Sequence, residues 1–398
     1  MNPYMWFDPT RVVFGWGKLN ELNSYLNSSY IGKECKKAMI VISNGKSTKE
    51  SGSLDRTLKQ LQTANIEVVV FDKVEANPLK STVETGSKFF NDNKCDIIIA
   101  LGGGSVMDAA KAMAMLAPQP SQDLWTYAYG KTGKQQNIVN PAVPYICITT
   151  TAGTGSEVDQ AGVITNPETN EKIGVGGLDC MFPVLSIVDA ELMSTVPPQF
   201  TAYQGFDTLF HSTEGYISNK HNPMSEMVQR AAIENIGKYM PIAYKDGKNR
   251  QAREAMAFAN TMSGYSMVVS GCTSEHSMEH AMSAYHQKLP HGAGLIMISK
   301  EYYTYFINRH CCDERFVDMA KMLGKKDASK PMDFIDALVD LQKSCDVDNL
   351  KMSDYGITEN EFNDFAKNSF EAMGVLYLND PVQMSHEDCV SIYRKSFK

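Results

Sequence analysis

The chain is short of several features, and each shortage excludes something. Its nine cysteines are an odd number with no Cys-x-x-Cys spacing, and the adjacent pair Cys311-Cys312 cannot easily bridge. A disulfide framework is therefore not expected; reduced thiols of a cytoplasmic protein are. No run of eighteen apolar residues occurs, so no membrane span is expected. Basic residues are not in excess: 38 Lys and Arg stand against 46 Asp and Glu, a net charge of −8. That balance argues against a nucleic-acid partner. The opening Met-Asn-Pro-Tyr-Met-Trp-Phe-Asp-Pro has neither the basic nor the apolar segment of a signal peptide. There is no internal repeat and no low-complexity linker. Histidine is scarce too, at eight residues, yet four of the eight lie between positions 276 and 291.

What is present suits a two-domain globular protein. The 398 residues are 43% hydrophobic and 21% charged, enough for an ample core. Residues 38–42, 67–71, 96–101, 145–149 and 184–188 read as strands, with helical patterns at 54–64 and 82–91 between the first three. Such alternation implies βαβ units and a parallel sheet. Residues 163–175, with a turn at 165–170, read as a hairpin on its edge. Beyond Pro197-Pro198 long helical patterns take over, at 224–239, 251–269, 311–323 and 332–345. The expected organisation is an α/β dinucleotide-binding domain over 1–195 and an all-α metal-binding domain over 196–398, with the active cleft between them. The 23 methionines, clustered at 107–115 and 256–267, read as adaptable core filling. The aromatic group 302–306 reads as helix packing or a subunit contact.

Two histidine segments carry metal chemistry. Asp207 and His211 are four residues apart, as are His276 and His280, and such residues share one helix face. Two facing helices can close a divalent-metal site from Asp207, His211, His276 and, from the next turn, His291. One carboxylate and three neutral imidazoles leave the ion a net positive charge with which to polarise an oxygen. Nitrogen and oxygen ligands suit both iron and zinc. For each pair alone, a surface pair or a satisfied core histidine is the plainer reading; both pairs in one chain bring the two readings level.

A second signal is Gly102-Gly103-Gly104-Ser105, between an apolar strand and an Ala- and Met-rich helix. Glycines there let backbone approach a phosphate, and the helix N-terminus offers unpaired N–H groups. Ser105 caps that helix or donates to phosphate. After strand 145–149, Thr150, Thr151 and Thr154 are placed to line a nucleotide. At the end of strand 38–42, Ser43, Asn44, Gly45, Lys46 and Ser47 present donors and a positive charge, and no carboxylate appears before Glu50. A carboxylate there would bind a free ribose 2′-hydroxyl and repel a 2′-phosphate. NADP is the expected cofactor, with NAD the alternative.

Together these segments resemble the metal-dependent alcohol dehydrogenases of the iron-containing (group III) type. The motifs matched are Gly102–Lys111, Thr150–Val158, Asp207 to Tyr216, and His276/His280 closing at Pro290-His291-Gly292. The resemblance runs from about residue 5 to the C-terminus. It implies reversible hydride transfer between a nicotinamide and a small alcohol or aldehyde, with iron as metal and zinc as alternative. It also implies the two-domain architecture shared with dehydroquinate synthase, and a homo-oligomer, dimer or higher. It puts Asp108 and Lys172 at the cofactor, and His280 as the group that relays a proton or contacts nicotinamide and substrate. The family's two liganding histidines stand one residue closer together than His276 and His291 do here. The extra residue falls in the loop 285–289, and His280 stays open as third ligand. Cys272 is placed to line the substrate pocket, without a partner to activate it. Two other classes are open: a dehydroquinate synthase-like lyase and a non-catalytic nucleotide-binding protein. The lyase would need several basic residues at the metal, whereas 203–216 and 272–292 contain only Lys288. The binding protein would not need the histidines.

Overall fold

The structure is a computed structural model that describes residues 2–26, 28–32 and 34–398. Six strands form one parallel sheet: β1 (Arg11–Phe14), β2 (Lys37–Ser43), β3 (Glu67–Val74), β4 (Ile97–Gly102), β5 (Tyr145–Thr149) and β8 (Leu185–Val188). Their order is β1-β8-β5-β4-β2-β3. The central strands are continuous apolar runs because helices cover both faces; β4, Ile-Ile-Ile-Ala-Leu-Gly, is buried throughout. The helices of this half are the short α1 (Leu22–Tyr25), α2 (Ser28–Ile31) and α3 (Ser47–Glu50), then α4 (Ser53–Thr63), α5 (Lys80–Asp92) and α6 (Gly104–Leu116). The chain steps from β2 outward to β3, then returns to lay β4 on the other side of β2. The strand order therefore reverses between β2 and β4. In sheets of this kind ligands bind outside the carboxyl ends at such a reversal, which is where Ser43 and Gly102 stand.

The hairpin β6 (Ala161–Asn166) and β7 (Glu171–Gly176) is antiparallel as read, but it is not on the edge of the main sheet. It forms its own two-stranded sheet packed on α6 and on the later helices Ser274–Tyr285 and Phe362–Met373, with an isolated bridge from Leu79 to Thr165. The edges are instead β3 and β1, the latter a four-residue strand too short to stand out in the sequence.

Pro198 opens α7 (Pro198–Ile217), where a missing N–H costs nothing. Then follow α8 (Pro223–Lys245), α9 (Arg250–Ser270), α10 (Ser274–Tyr285), α11 (His291–Ile307), α12 (Asp313–Met322), α13 (Asp333–Ser344), α14 (Phe362–Met373) and α15 (His386–Ser396). One hydrophobic core runs through this bundle and takes in Ala152, Val188, Ala190 and Met193 from the first half. Tyr302, Tyr303 and Phe306 are fully buried in it, which makes them packing residues. Met107, Met113, Met115 and Met256 are likewise core.

Candidate metal and nucleotide site

Three helices bring the metal-site candidates together. α7 carries Asp207 and His211 one turn apart, α10 carries His276, and α11 begins at His291. Asp207 Oδ1 lies 3.5 Å from His211 Nδ1, 3.4 Å from His276 Nε2 and 3.5 Å from His291 Nε2. All three imidazoles thus face one carboxylate oxygen. The rings of His211 and His276 stack at 4.2 Å. Two of the rings each meet a further carboxylate at the other ring nitrogen. Glu214 Oε1 contacts His276 Nδ1, and Glu279 Oε2 contacts His291 Nδ1. Glu214 is itself held, accepting from Thr273 N at 2.8 Å and Thr273 Oγ1 at 3.1 Å.

The electrostatics are those of a crowded interior. Burial alone would raise the Asp207 carboxyl; its interactions with the facing His211, His291 and His276 rings hold it well below the usual range. Burial, then the neighbouring His276, push His211 down to about 3. Burial also works against a charged His276, but Glu214 and the bond to Asp207 bring it up to about 10. His211 Nδ1 is buried without a hydrogen-bond partner among the described residues. One anion and three imidazoles converging in a dry place, one ring nitrogen orphaned, is a donor set that a divalent ion satisfies. The residues fit iron or zinc.

His280 stands beside this centre, its ring 5.2 Å from His291 and 6.2 Å from His276. Its Nδ1 meets Met373 Sδ at 2.9 Å, and burial, then the charge of Lys172, keep it neutral. Ligand atoms of Glu279, His280 and His291 come within 4.8 Å of one another, as do those of His211, Cys272 and His276. Cys272 does reach the site, but burial holds its thiol well above the ordinary range, which makes it no nucleophile.

On the nucleotide side, Ser43, Gly102 and Thr149 end neighbouring strands, and Thr150 N donates to Gly102 O at 2.9 Å. Gly103 is the N-cap of α6, so Ser105 lies inside the first turn and does not cap. The first N–H groups of α6, at Gly104 and Ser105, have no intrahelical acceptor. The glycines meet protein first: a Cβ on Gly103 would lie 2.8 Å from Thr151 Oγ1, and one on Gly104 would lie 2.3 Å from Thr154 Cγ2. The sequence reading gave them to the phosphate alone. Asn44 N donates to Val74 O, and Asn44, Gly45 and Lys46 are exposed just beyond the end of β2.

Two cofactor candidates are engaged within the protein. Asp108 accepts from Ser156 Oγ at 2.6 Å and Val163 N at 2.9 Å. Its neighbour Lys111, fully buried, donates to Ser156 Oγ, Asp159 and Ala161 O. Together they tie α6 to the loop and hairpin that follow β5. Lys172 is buried against α10, donating to Ser283 Oγ at 2.9 Å and lying 3.4 Å from Glu279 Oε2. Sequence reasoning gave no role to Glu214 and Glu279. The available signal was their helical spacing, each three residues after a ligand candidate.

The Iron-containing alcohol dehydrogenase family matches residues 9–190, and the Fe-containing alcohol dehydrogenase family, C-terminal, matches residues 201–397. The 1,3-propanediol dehydrogenase of Citrobacter freundii is 31% identical over 379 residues, 93% of this chain and 95% of that protein. The NADPH-dependent butanol dehydrogenase of Clostridium saccharobutylicum is 32% identical over 363 residues, 89% of this chain and 87% of that one. Among solved structures, an archaeal halo-thermophilic alcohol dehydrogenase from a Red Sea brine pool superposes with a TM-score of 0.92. It is 32% identical, and both chains are covered in full.

Proposed function

The chain belongs to the iron-containing alcohol dehydrogenases and is a nicotinamide-dependent oxidoreductase; from that premise we propose its substrate, cofactor and ligand set. The reaction is hydride transfer between NADP(H) and a short, uncharged aldehyde, alcohol or diol. One ferrous ion is held by Asp207, His211, His276 and His291. The observation that carries this reading is the convergence of three imidazoles on Asp207 Oδ1. When bound, the ion supplies Lewis-acid polarisation of the substrate oxygen.

The chain's own groups do the rest. Glu214 contacts His276 Nδ1 and so orients that imidazole, and the buried surroundings exclude water. His280 is neutral and stands beside the ligand histidines, suited to accept or return the alcohol proton. The N–H groups at Gly104 and Ser105, with Thr150, Thr151 and Thr154 nearby, hold the pyrophosphate. Ser43, Asn44 and Lys46 receive the adenosine ribose and its 2′-phosphate. The two halves divide near residue 195.

An uncharged substrate follows from the charges at the site. Lys172, brought in by the hairpin, already lies against Glu279, which leaves this lysine less able to receive an acidic substrate. The same pairing disfavours a lyase acting on a phosphate-bearing substrate. We also propose a cytoplasmic homodimer. β1 is an edge strand, and Tyr4, Met5, Trp6, Phe7 and Phe14 around it are exposed, as a two-fold strand pairing would require.

The test is NADPH oxidation with a panel of short aldehydes, before and after the metal is stripped with a chelator. Activity should vanish on stripping and return with ferrous ion. Undiminished reduction by the stripped protein would refute the metal's part.

A further inference from the structure

α10 is buried along nearly its whole length, yet it carries Glu275 and Glu279 besides two histidines. Glu279 is fully buried, and its two oxygens are treated differently. Oε2 contacts His291 Nδ1 and lies 3.4 Å from Lys172 Nζ, whereas Oε1 has no hydrogen-bond partner among the described residues. A Cβ on Gly294 would come 2.8 Å from Oε1, so α11 passes this carboxylate closely because a glycine stands there. Glu279 is therefore enclosed by the first turn of α11, by β7 and by its own helix. A half-satisfied buried carboxylate destabilises a fold. A second metal position between Glu279, His280 and His291 does not account for it, because the Lys172 ammonium, 3.4 Å from Oε2, would repel an ion held there. His291 does account for it. Of the four proposed ligands its side chain is the most exposed, at 22%, and it follows directly on the loop 286–290.

We infer that Glu279 is a positioning residue. It holds the His291 ring through Nδ1 so that Nε2 faces Asp207, and Lys172 holds Glu279 from the nucleotide-binding half. The geometry of one metal ligand thus depends on the seating of the β6–β7 hairpin against α10. This inference rests on the ligand assignment proposed above.

The test is the dissociation constant for Co²⁺, by chelator competition, in the native protein and in Glu279→Gln, Lys172→Met, His291→Ala and Glu279→Gln/His291→Ala. Far-UV circular dichroism reports folding, and the d–d absorption of bound Co²⁺ reports ligand geometry. Glu279→Gln should weaken binding roughly 10–100-fold and shift the absorption. Lys172→Met should weaken it by a smaller factor. Because Glu279 acts through His291, the double variant should bind no more weakly than His291→Ala alone. Native affinity in folded Glu279→Gln, or losses that multiply in the double variant, overturns the inference and leaves the ligand assignment standing. Native affinity in Lys172→Met removes the lysine from it. Native affinity in His291→Ala overturns the ligand assignment, and the inference with it.

Discussion

Glu157 lies buried where the loop after β5 meets α9, accepting from Asn260 Nδ2 at 2.8 Å and Thr261 Oγ1 at 2.8 Å. Burial pushes its carboxyl up to about 7, and its hydrogen bonds offset this only in part. The folded protein therefore binds this proton more tightly than the unfolded chain. Its contribution is fully present below the ordinary glutamate value and is lost as pH rises through about 7. The loss amounts to roughly 3 kcal/mol. In urea titrations Glu157→Gln should gain on the native protein between pH 5 and pH 8; an unchanged gap would assign the slope to another group. At Ser43 the expectation concerns charge. Ser43→Asp should lower kcat/KM for NADPH at least tenfold, on the order of 1.4 kcal/mol, and spare NADH. Equal use of NADPH would show that the turn does not discriminate. His276→Ala should leave the purified protein without metal by elemental analysis; a full complement would pass the ligand role to His280. The pairs Asp207/His211 and His276/His280 could be read in the sequence because four-residue spacing puts each pair on one helix face, whereas His291 opens a separate helix that spacing does not connect to them. The carboxylates behind them could not: spacing places Glu214 and Glu279 on a face without saying which ring each carboxylate meets.

At the scale of elements, the glycine turn before α6 serves two ends. It leaves N–H groups free, and it admits Thr151 and Thr154 of the loop after β5 to close contact. Gly103→Val should raise the cofactor KM strongly with metal content intact. It should also lower stability by about 1–3 kcal/mol, because Thr151 must move. A raised KM with no stability loss would mean the loop adapts freely. The buried parallel strands were legible as apolar runs. The antiparallel pairing of β6 and β7 was legible from its turn, but its seat was not, because packing on α6 and α10 depends on contacts distant in sequence. β1 escaped notice because four residues on an edge, half exposed, have no distinctive period.

At the scale of the whole molecule, alternation of strands and helices before Pro197 and helices after it made the architecture legible. Its outer surface was harder to read, since an exposed aromatic and a core aromatic look alike in a sequence. Met5 is 87% exposed, so Met5→Glu should leave the fold intact. If the β1 edges pair, sedimentation equilibrium should find dimers for the native protein and monomers for this variant. A native protein that is already monomeric would dispose of the pairing.

Asp207 and His291 lie far apart in the chain and meet only when α7, α10 and α11 are packed. No stretch of unfolded chain offers the same donors together, so on the proposed ligand set an ion would bind the folded form alone. At a free concentration a hundredfold above its dissociation constant, it would favour that form by about 2.7 kcal/mol. Inside a cell, such a difference decides how often a chain opens to a protease. Iron supply would then govern how long each copy of the protein lasts as well as how fast it turns over.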